Sequence, residues 1–379
     1  MIQPLERIAV KVGSNVLARA DGTLDVTRMS ALVDQIAGLH KTGMQIILIS
    51  SGAVASGRSE VQVTRKLDSV DQRQLFSAVG QAKLINRYYE LFRDHGITVG
   101  QVLTTKESLG TRRHYLNQKN CMSVMLENRV IPIVNENDTI SVSELMFTDN
   151  DELSGLVASM MNAQCLVILS NIDGIYDGKP DDPQAHILHE IGPDTDLTRY
   201  IQTARSSFGR GGMLTKARIA RKVADEGIAV IIANGRRDNI LTDIAENEAR
   251  LAAQPGSRYE DTDGDRTRRP VYTRFTPAPQ PASGVKKWIA HSEGFAKGCL
   301  HLNADACRAL LSDKAVSLLP VGITQVEGEF EKDDIVRIAD PQGHPIGVGK
   351  AACDAAQARD LMGKHGQRPV VHYDYLCLE

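Results

Sequence analysis

Short apolar runs alternate with amphipathic segments over the first 250 or so residues of this 379-residue chain. These runs are mostly apolar, are four to seven residues long and are bounded by small or polar residues. They cover residues 8–12, 45–49, 97–103, 131–134, 165–169 and 229–232. Runs of this kind are typical of strands that are buried on both faces. Their alternation with helical segments predicts an α/β fold with a largely parallel sheet between helices.

The segments between these runs carry helix signals. Asp25 is a candidate N-cap for a helix that Gly43 ends, and its apolar stripe comprises Met29, Leu32, Val33, Ile36 and Leu39. A long helix is predicted over Gln72–Asp94, with Leu75, Phe76, Val79, Leu84 and Tyr88 facing inward. Further helices are predicted over Tyr115–Glu127, from Thr148 to Met161, and over Leu214–Glu226, with a projecting hairpin over Thr139–Phe147.

Composition changes near Arg250 and suggests a second domain. Residues 251–284 contain five of the 14 prolines and a charged run without apolar periodicity, which predicts a linker. From Val285 onward, short alternating runs broken by Gly, Asp and Pro predict a small β-rich domain up to Glu379. We therefore expect residues 1–250 to fold on their own.

Bulk composition limits the class of protein. Hydrophobic residues make up 42% and charged residues 24%, with a net charge of −3, as in a globular protein with no basic surface that would favour a polyanion. Neither a signal peptide nor an apolar run of membrane-spanning length is visible, so we expect a cytoplasmic protein without a membrane partner. The six cysteines lack C-x-x-C spacing, which predicts free buried thiols and neither a disulfide framework nor a metal site.

The first strand and the loop after it suggest a phosphate site. Lys11 stands near the end of the strand, and Gly13-Ser14-Asn15 follow it. A glycine loop lets backbone N–H groups approach an anion, and the lysine adds positive charge. A solvated turn explains the same residues when they are taken alone.

Three later segments stand at equivalent places. Ser51-Gly52 follows the second strand and offers a hydroxyl and an N–H to a carboxylate, although a tight turn would look the same. Asn135 and Asp138 follow the fourth strand, where Asx turns are common and where Asp138 would suit an ammonium ligand. Asn150-Asp151 begin a predicted helix, so they are either caps or acceptors that position lysines or magnesium.

The most specific signal is Gly209-Arg210-Gly211-Gly212-Met213-Leu214-Thr215-Lys216. Three glycines at a helix start permit close backbone approach, the helix dipole favours an anion, and Lys216 adds charge. The spacing is not that of a Walker loop.

Together these motifs resemble the amino-acid kinase family, with a C-terminal PUA domain. The resemblance rests on VKVGSNVL at 10–17, SSGAVASG at 50–57, VNENDTIS at 134–141, TDNDELSG at 148–155 and GRGGMLTK at 209–216. In the tail it rests on KKWIA at 286–290, SLLPVGI at 317–323 and VEGEFEKDDIVRI at 326–338. It implies a catalytic domain over 1–250 with an eight-stranded, mostly parallel sheet, and a PUA domain over 285–379.

The resemblance also implies an activity and a set of roles. The γ-phosphoryl of ATP, with Mg²⁺, would pass to the side-chain carboxylate of L-glutamate, the first step of proline synthesis, with feedback inhibition by L-proline. Lys11 and Lys216 would stabilise the transferring phosphoryl group, and Asp151 would hold them. Glutamate would bind to Ser51, Gly52, Asn135, Asp138 and Asn150, and ATP to Lys11, Gly13, Ser14, Ser170, Asn171 and residues 210–216, namely Arg210, Gly211, Gly212, Met213, Leu214, Thr215 and Lys216. We also expect a homo-oligomer.

Four residues depart from the family pattern. Ser170-Asn171 replace a more usual Thr-Asp, Arg210 replaces a threonine, and Thr148 replaces a glycine. None of these changes removes a proposed catalytic group.

Other readings remain open. A kinase for N-acetylglutamate or aspartate would share the fold, but the tail and Asp138 argue against both. An RNA-binding protein is the alternative from another class, because PUA domains occur in RNA-modifying enzymes. Against it, Val285–Glu379 holds 13 acidic residues against 11 lysines and arginines, whereas RNA binding needs a basic face.

Overall fold

The computed structural model describes residues 5–64, 66–109, 111–140, 150–178, 182, 184–197, 213–253, 271–279, 288–289, 291, 295–312 and 316–378. The chain divides into two compact units. The first comprises residues 1–105 with 117–281, and the second comprises residues 106–116 with 282–379. Most of the hairpin predicted over Thr139–Phe147 lies outside the described residues.

The first unit is built on an eight-stranded sheet. Its strands are β1 (Arg7–Val12), β2 (Gln45–Ser50), β3 (Val99–Thr104), β4 (Ile131–Glu136), β5 (Cys165–Ser170), β6 (Glu190–Ile191), β7 (Ala229–Asn234) and β8 (Tyr272–Phe275). They lie in the order β3-β4-β2-β1-β5-β7-β8-β6. All neighbouring pairs are parallel except β7 with β8, so the predicted mostly parallel sheet is confirmed.

Helices connect these strands. Their bounds are α1 (Ser14–Leu17), α2 (Val26–Lys41), α3 (Ala53–Arg58), α4 (Ser69–Asp94), α5 (Lys106–Leu109), α6 (Arg112–Glu127), α7 (Asn150–Met160), α8 (Met213–Asp225) and α9 (Ile240–Ala253). Helix α2 follows the prediction, because the Asp25 side chain accepts a hydrogen bond from the N–H of Arg28 and the whole apolar stripe is buried. Together with β1 and β2, this stripe forms part of the main core of the unit.

Helix α4 corrects the prediction in two respects. It begins at Ser69, three residues before the expected Gln72, because the Asp68 side chain caps it by accepting from the N–H groups of Val70 and Asp71. Two of the five residues expected inside are on the exposed side instead, since Leu75 is 36% and Val79 is 37% exposed.

The backbones of α3 and α4 are in direct contact. A Cβ atom on Gly57 would lie 1.8 Å from the carbonyl oxygen of Phe76, and one on Gly80 would lie 1.8 Å from that of Ala53. No side chain fits at either position, so the two glycines let the helices approach to backbone distance. This contact fixes α4 beside the loop that follows β2.

The segment predicted as a linker contains a strand of the first sheet. β8 pairs antiparallel with β7 and parallel with β6, and all four of its residues are buried. The expectation that residues 1–250 fold alone overlooked this strand. A chain ended near Arg250 would lose it and leave the outer edge of β7 unpaired.

The second unit contains a five-stranded sheet, which confirms the predicted β-rich domain. Its strands are β9 (Gly298–Leu302), β10 (Ile323–Gly328), β11 (Ile335–Ala339), β12 (Pro345–Ala351) and β13 (Val371–Leu378), in the order β10-β9-β11-β12-β13. Helices α10 (Ala304–Leu310) and α11 (Ala355–Leu361) accompany it. Leu300, Val336 and Ile338 lie in its separate core. Helix α5 belongs to this unit, where Trp288 Nε1 donates to the carbonyl oxygen of Leu109 at 3.4 Å.

None of the six cysteines, all of which lie among the described residues, forms a disulfide, and only Cys165 is buried; Cys121 is exposed and the other four are half-buried. Among the described helices, none is both long enough and apolar enough to span a membrane.

Candidate active site

Four adjacent parallel strands bring the predicted site residues to one edge of the sheet. Strands β4, β2, β1 and β5 lie side by side and end at Glu136, Ser50, Val12 and Ser170. In open α/β sheets, ligands bind beyond the carboxyl ends of the strands. The N-terminal turn of α7 supplies Asn150 and Asp151 at this edge, as their contacts below demonstrate.

Lys11, Asp151 and Lys216 form the first group, called here the Lys–Asp–Lys cluster. Lys11 Nζ lies 2.5 Å from Asp151 Oδ1, and Lys216 Nζ lies 2.8 Å from Asp151 Oδ2. All three side chains are largely buried: that of Lys11 is 6% exposed, that of Asp151 is 1% exposed and that of Lys216 is 12% exposed. One carboxylate thus holds two ammonium groups that come from segments 205 residues apart in sequence.

The environment of Asp151 keeps it ionised. Burial raises the pKa of its carboxyl, but the charges of Lys11 and Lys216 and their hydrogen bonds lower it by more, so the net shift is downward. With one negative charge against two positive ones, the three side chains carry a net charge of +1. This charge suits the phosphate groups of a nucleotide.

Gly13 stands close to this cluster. Its N–H donates to the carbonyl oxygen of Leu169 at 3.1 Å, so this amide connects β1 with β5. A Cβ atom here would lie 3.1 Å from that oxygen and 3.6 Å from Lys11 Nζ. A side chain at position 13 would therefore crowd the lysine, and Ser14 begins the short helix α1 directly after it.

Asn150 connects the ends of two other strands. Its Nδ2 donates to Ser51 Oγ at 2.9 Å, to Asn135 Oδ1 at 3.1 Å and to the carbonyl oxygen of Ser50 at 3.3 Å. Gly52 lies beside Ser51 with φ = 108°, in the left-handed region that favours glycine. Four of the five residues predicted to bind a carboxylate substrate are therefore neighbours.

The fifth, Asp138, lies in a second charged group with Arg73 and Glu136, called here the Arg–carboxylate cluster. Arg73 Nε donates to Asp138 Oδ1 at 2.7 Å, and Arg73 Nη2 lies 2.5 Å from the same oxygen. Arg73 Nη2 also donates to Glu136 Oε2 at 3.1 Å. Burial raises the pKa of Asp138, and the Arg73 charge opposes this only in part.

The predicted nucleotide residues are only partly described. Ser170 Oγ donates to Asn171 Oδ1 at 3.4 Å at the end of β5. Met213, Leu214, Thr215 and Lys216 form the first turn of α8, whereas Arg210, Gly211 and Gly212 lie outside the described residues.

Sequence reasoning missed Arg73 and the residues after Asn171. Nothing in the pattern of α4 singles out Arg73, because its partners lie 63 and 65 residues away. Asp173 accepts from Arg237 Nε at 2.6 Å and from Asn234 Nδ2 at 3.0 Å, which ties the loop after β5 to that after β7. Hydrogen bonds from Arg237 lower the pKa of Asp173. The polar residues that follow β5 in the sequence were the only signal from which a role for Asp173 could have been predicted.

A cavity of about 580 Å³ lies next to these groups. Glu136 and Asp138 line it together with residues of α4 and β3, while Lys11, Asp151 and Lys216 do not. The cavity therefore adjoins the Arg–carboxylate cluster and not the Lys–Asp–Lys cluster.

Comparisons with known proteins agree on the family. The model of the amino acid kinase family matches residues 6–234, and the PUA domain model matches residues 298–373. A glutamate 5-kinase of Bacteroides thetaiotaomicron is 72% identical over 379 residues, covering 100% of both chains. A glutamate 5-kinase of Chlorobaculum tepidum is 44% identical over 98% of this chain and 97% of its own length. A third, from Salinispora arenicola, is 36% identical over 98% of this chain and 97% of its own.

The full-length relatives span both units. The match to the amino acid kinase family includes β1, β2, β4 and β5, whose ends carry the site residues. With its eight-stranded sheet, its Lys–Asp–Lys cluster and its full-length relatives, the chain belongs to the amino acid kinase family.

Proposed function

We propose that this protein transfers the γ-phosphoryl group of ATP to the side-chain carboxylate of L-glutamate, giving L-glutamyl 5-phosphate and ADP. The full-length relatives are named for this activity. The single structural observation that supports it best is the Lys–Asp–Lys cluster, in which Asp151 holds Lys11 and Lys216 at the carboxyl edge of the sheet. The reaction is the first step of proline synthesis.

The reaction requires positive charge near the transferring phosphoryl group and does not require a general base. A carboxylate is already ionised at neutral pH and attacks phosphorus without losing a proton. Both reactants are anions, so catalysis depends on their positioning and on cations near the transferring group. Lys11 and Lys216 would stabilise the charge on the phosphoryl oxygens, and Asp151 would hold both ammonium groups in place.

The amino acid would bind beside this cluster. Ser51, Asn135 and Asn150 form a hydrogen-bonded set that offers N–H and O–H groups to a carboxylate, and Gly52 adds its backbone. Asp138 supplies the negative charge for an α-ammonium group. A buried ammonium needs such a partner, because an unpaired buried charge costs several kcal/mol.

ATP would lie over Ser170, Asn171, the glycine loop and the first turn of α8. Mg²⁺ would enter with the nucleotide, since this ion is usually bound through substrate phosphates and one or two carboxylates. Asp151 would act on the lysines rather than on the ion, because both of its oxygens already contact ammonium groups. Magnesium would thus add positive charge on the phosphates.

An assay of ADP release with a panel of acidic substrates tests this function. We expect turnover with L-glutamate and little with L-aspartate or N-acetyl-L-glutamate, and trapping with hydroxylamine should give the hydroxamate of the side-chain carboxyl. Lys216→Ala is the control for contaminating kinases. Turnover restricted to another acceptor would overturn the assignment.

Three further properties complete the proposal and stay predictions: a cytoplasmic location, homo-oligomer formation, and feedback inhibition by L-proline at the glutamate site. Addition of L-proline to the same assay should raise the KM for L-glutamate. RNA is not among the proposed partners.

A further inference from the structure

Helix α4 holds the end of β4 and the residues that follow it at three points. Arg73 contacts Glu136 and Asp138, Gln74 Nε2 donates to the carbonyl oxygen of Thr139 at 2.8 Å, and Gln81 Oε1 accepts from Asn135 Nδ2 at 2.8 Å. The segment 135–139 includes two of the residues to which we assign glutamate. The position of these residues therefore depends on α4.

Arg73 engages Asp138 in an asymmetric way. Both of its contacting nitrogens, Nε and Nη2, lie on Oδ1, at 2.7 and 2.5 Å. No described residue donates a hydrogen bond to Oδ2. One oxygen of the carboxylate is thus used to orient it, while the other is available to a ligand.

The guanidinium is also shared with Glu136, whose side chain is 3% exposed, while that of Asp138 is 10% exposed. Without a cation between them, two buried carboxylates at this separation repel each other and favour protonation. The planar fork of an arginine contacts both groups from one position, which a lysine does less well. The close contact of Gly57 and Gly80 between α3 and α4 makes the support rigid.

We infer that Arg73 is a positioning residue for substrate selection: it holds Asp138 through Oδ1 so that Oδ2 receives the α-ammonium group of the amino acid. This inference rests on the proposed function and deepens it. Arg73 does not touch the reacting atoms, so its loss should impair recognition of the ammonium group more than phosphoryl transfer.

The test compares L-glutamate with glutarate, which is the same dicarboxylate without the α-ammonium group. The quantity measured is the ratio of kcat/KM for the two substrates, in wild-type, Arg73→Met and Arg73→Lys proteins. Arg87→Met is the matched control, because Arg87 lies on the same helix and pairs only with half-buried Glu90 among the described residues.

We expect the glutamate-to-glutarate ratio to fall by about tenfold or more in Arg73→Met, as loss of orientation commonly costs one to two orders of magnitude. The KM for L-glutamate should rise by a similar factor, while kcat and the KM for ATP stay within about threefold. Arg73→Lys should give an intermediate ratio, and Arg87→Met the wild-type ratio.

A wild-type ratio in Arg73→Met would overturn the inference, and so would a loss of turnover on both substrates in equal proportion. If Arg73→Met does not fold, Arg73→Lys decides, and an unchanged ratio in that variant would overturn the inference. Failure of the wild-type protein to phosphorylate L-glutamate would instead overturn the proposed function, so the two failures are distinguishable.

Discussion

The two charged clusters at the carboxyl edge of the sheet have opposite compositions. In the Lys–Asp–Lys cluster one carboxylate holds two cations, and in the Arg–carboxylate cluster one guanidinium contacts two carboxylates. The pKa shifts follow this difference. Burial raises the pKa of both Asp151 and Asp138, but only at Asp151 do the neighbouring cations reverse the shift.

The difference separates the two kinds of charge that the proposed reaction needs at this edge of the sheet. The cluster with surplus positive charge suits the phosphates of ATP, and the cluster rich in carboxylates suits an ammonium group. Changes in the first should therefore alter turnover, and changes in the second should alter substrate binding.

The largest effect is expected for Lys216→Ala. Removal of one cation that stabilises the transferring group should lower kcat by roughly a hundredfold or more. The protein should stay folded, because Lys216 is partly exposed. Arg218→Ala, two residues further along α8 at an exposed position, should keep wild-type turnover. Wild-type kcat in purified Lys216→Ala would remove the Lys–Asp–Lys cluster from the mechanism.

Asp138→Asn should act mainly on binding. Loss of the negative charge to which we assign the α-ammonium group should raise the KM for L-glutamate by about ten- to a hundredfold, with a smaller change in kcat. Asp71→Asn, an exposed acidic position on α4, serves as the control. A fall in kcat with an unchanged KM would reverse the roles assigned to the two clusters.

Gly80→Ala should weaken the support of the Arg–carboxylate cluster. The added methyl group would lie 1.8 Å from the carbonyl oxygen of Ala53, so α3 and α4 must separate, at a cost of about 1–3 kcal/mol in unfolding free energy. The KM for L-glutamate should rise as well, whereas that for ATP should not. Gly38→Ala on α2 meets no atom within 4 Å and should leave the protein unchanged or more stable. Equal stability of the two variants, measured by urea denaturation, would contradict the contact.

A smaller effect should appear on acidification. The pKa of Asp138 is raised and that of Asp151 is lowered, so Asp138 takes up its proton first as the pH falls. The KM for L-glutamate should therefore rise as the pH is lowered, before kcat declines. In Asp138→Asn this dependence of KM on pH should largely disappear. An equally steep dependence in that variant would assign the titration to another group.

The features that the sequence predicts correctly are those that depend on residues close together in the chain. Buried strands, capped helices and small residues at strand ends predict the mostly parallel sheet, and the sequence motifs at those strand ends and helix starts include Lys11, Asp151 and Lys216. The spacing of these three residues in the sequence does not indicate how close they lie in the fold. The family resemblance implied that Asp151 holds both lysines, and the structure contains these two ion pairs.

The features that the sequence did not predict have one physical cause in common, because each depends on contacts with residues far away in the sequence. Arg73 looks like any charged residue of an amphipathic helix until β4 is placed beside it. Tyr272–Phe275 is too short and too close to prolines to read as a strand, and its burial depends on pairing with β7. The exposed positions of Leu75 and Val79 depend on which face of α4 the backbone of α3 covers.

The most direct test of the account is a comparison of kcat/KM for L-glutamate and N-acetyl-L-glutamate on one preparation of the wild-type enzyme. Acetylation removes the ammonium charge, leaves Asp138 without the ligand that we propose for it, and adds bulk. Sites built around a polar contact reject analogues that lack it by about 10⁴ or more, so we predict a preference for L-glutamate of that order. Equal or better use of N-acetyl-L-glutamate would contradict both the role of Asp138 and the division of labour between the two clusters.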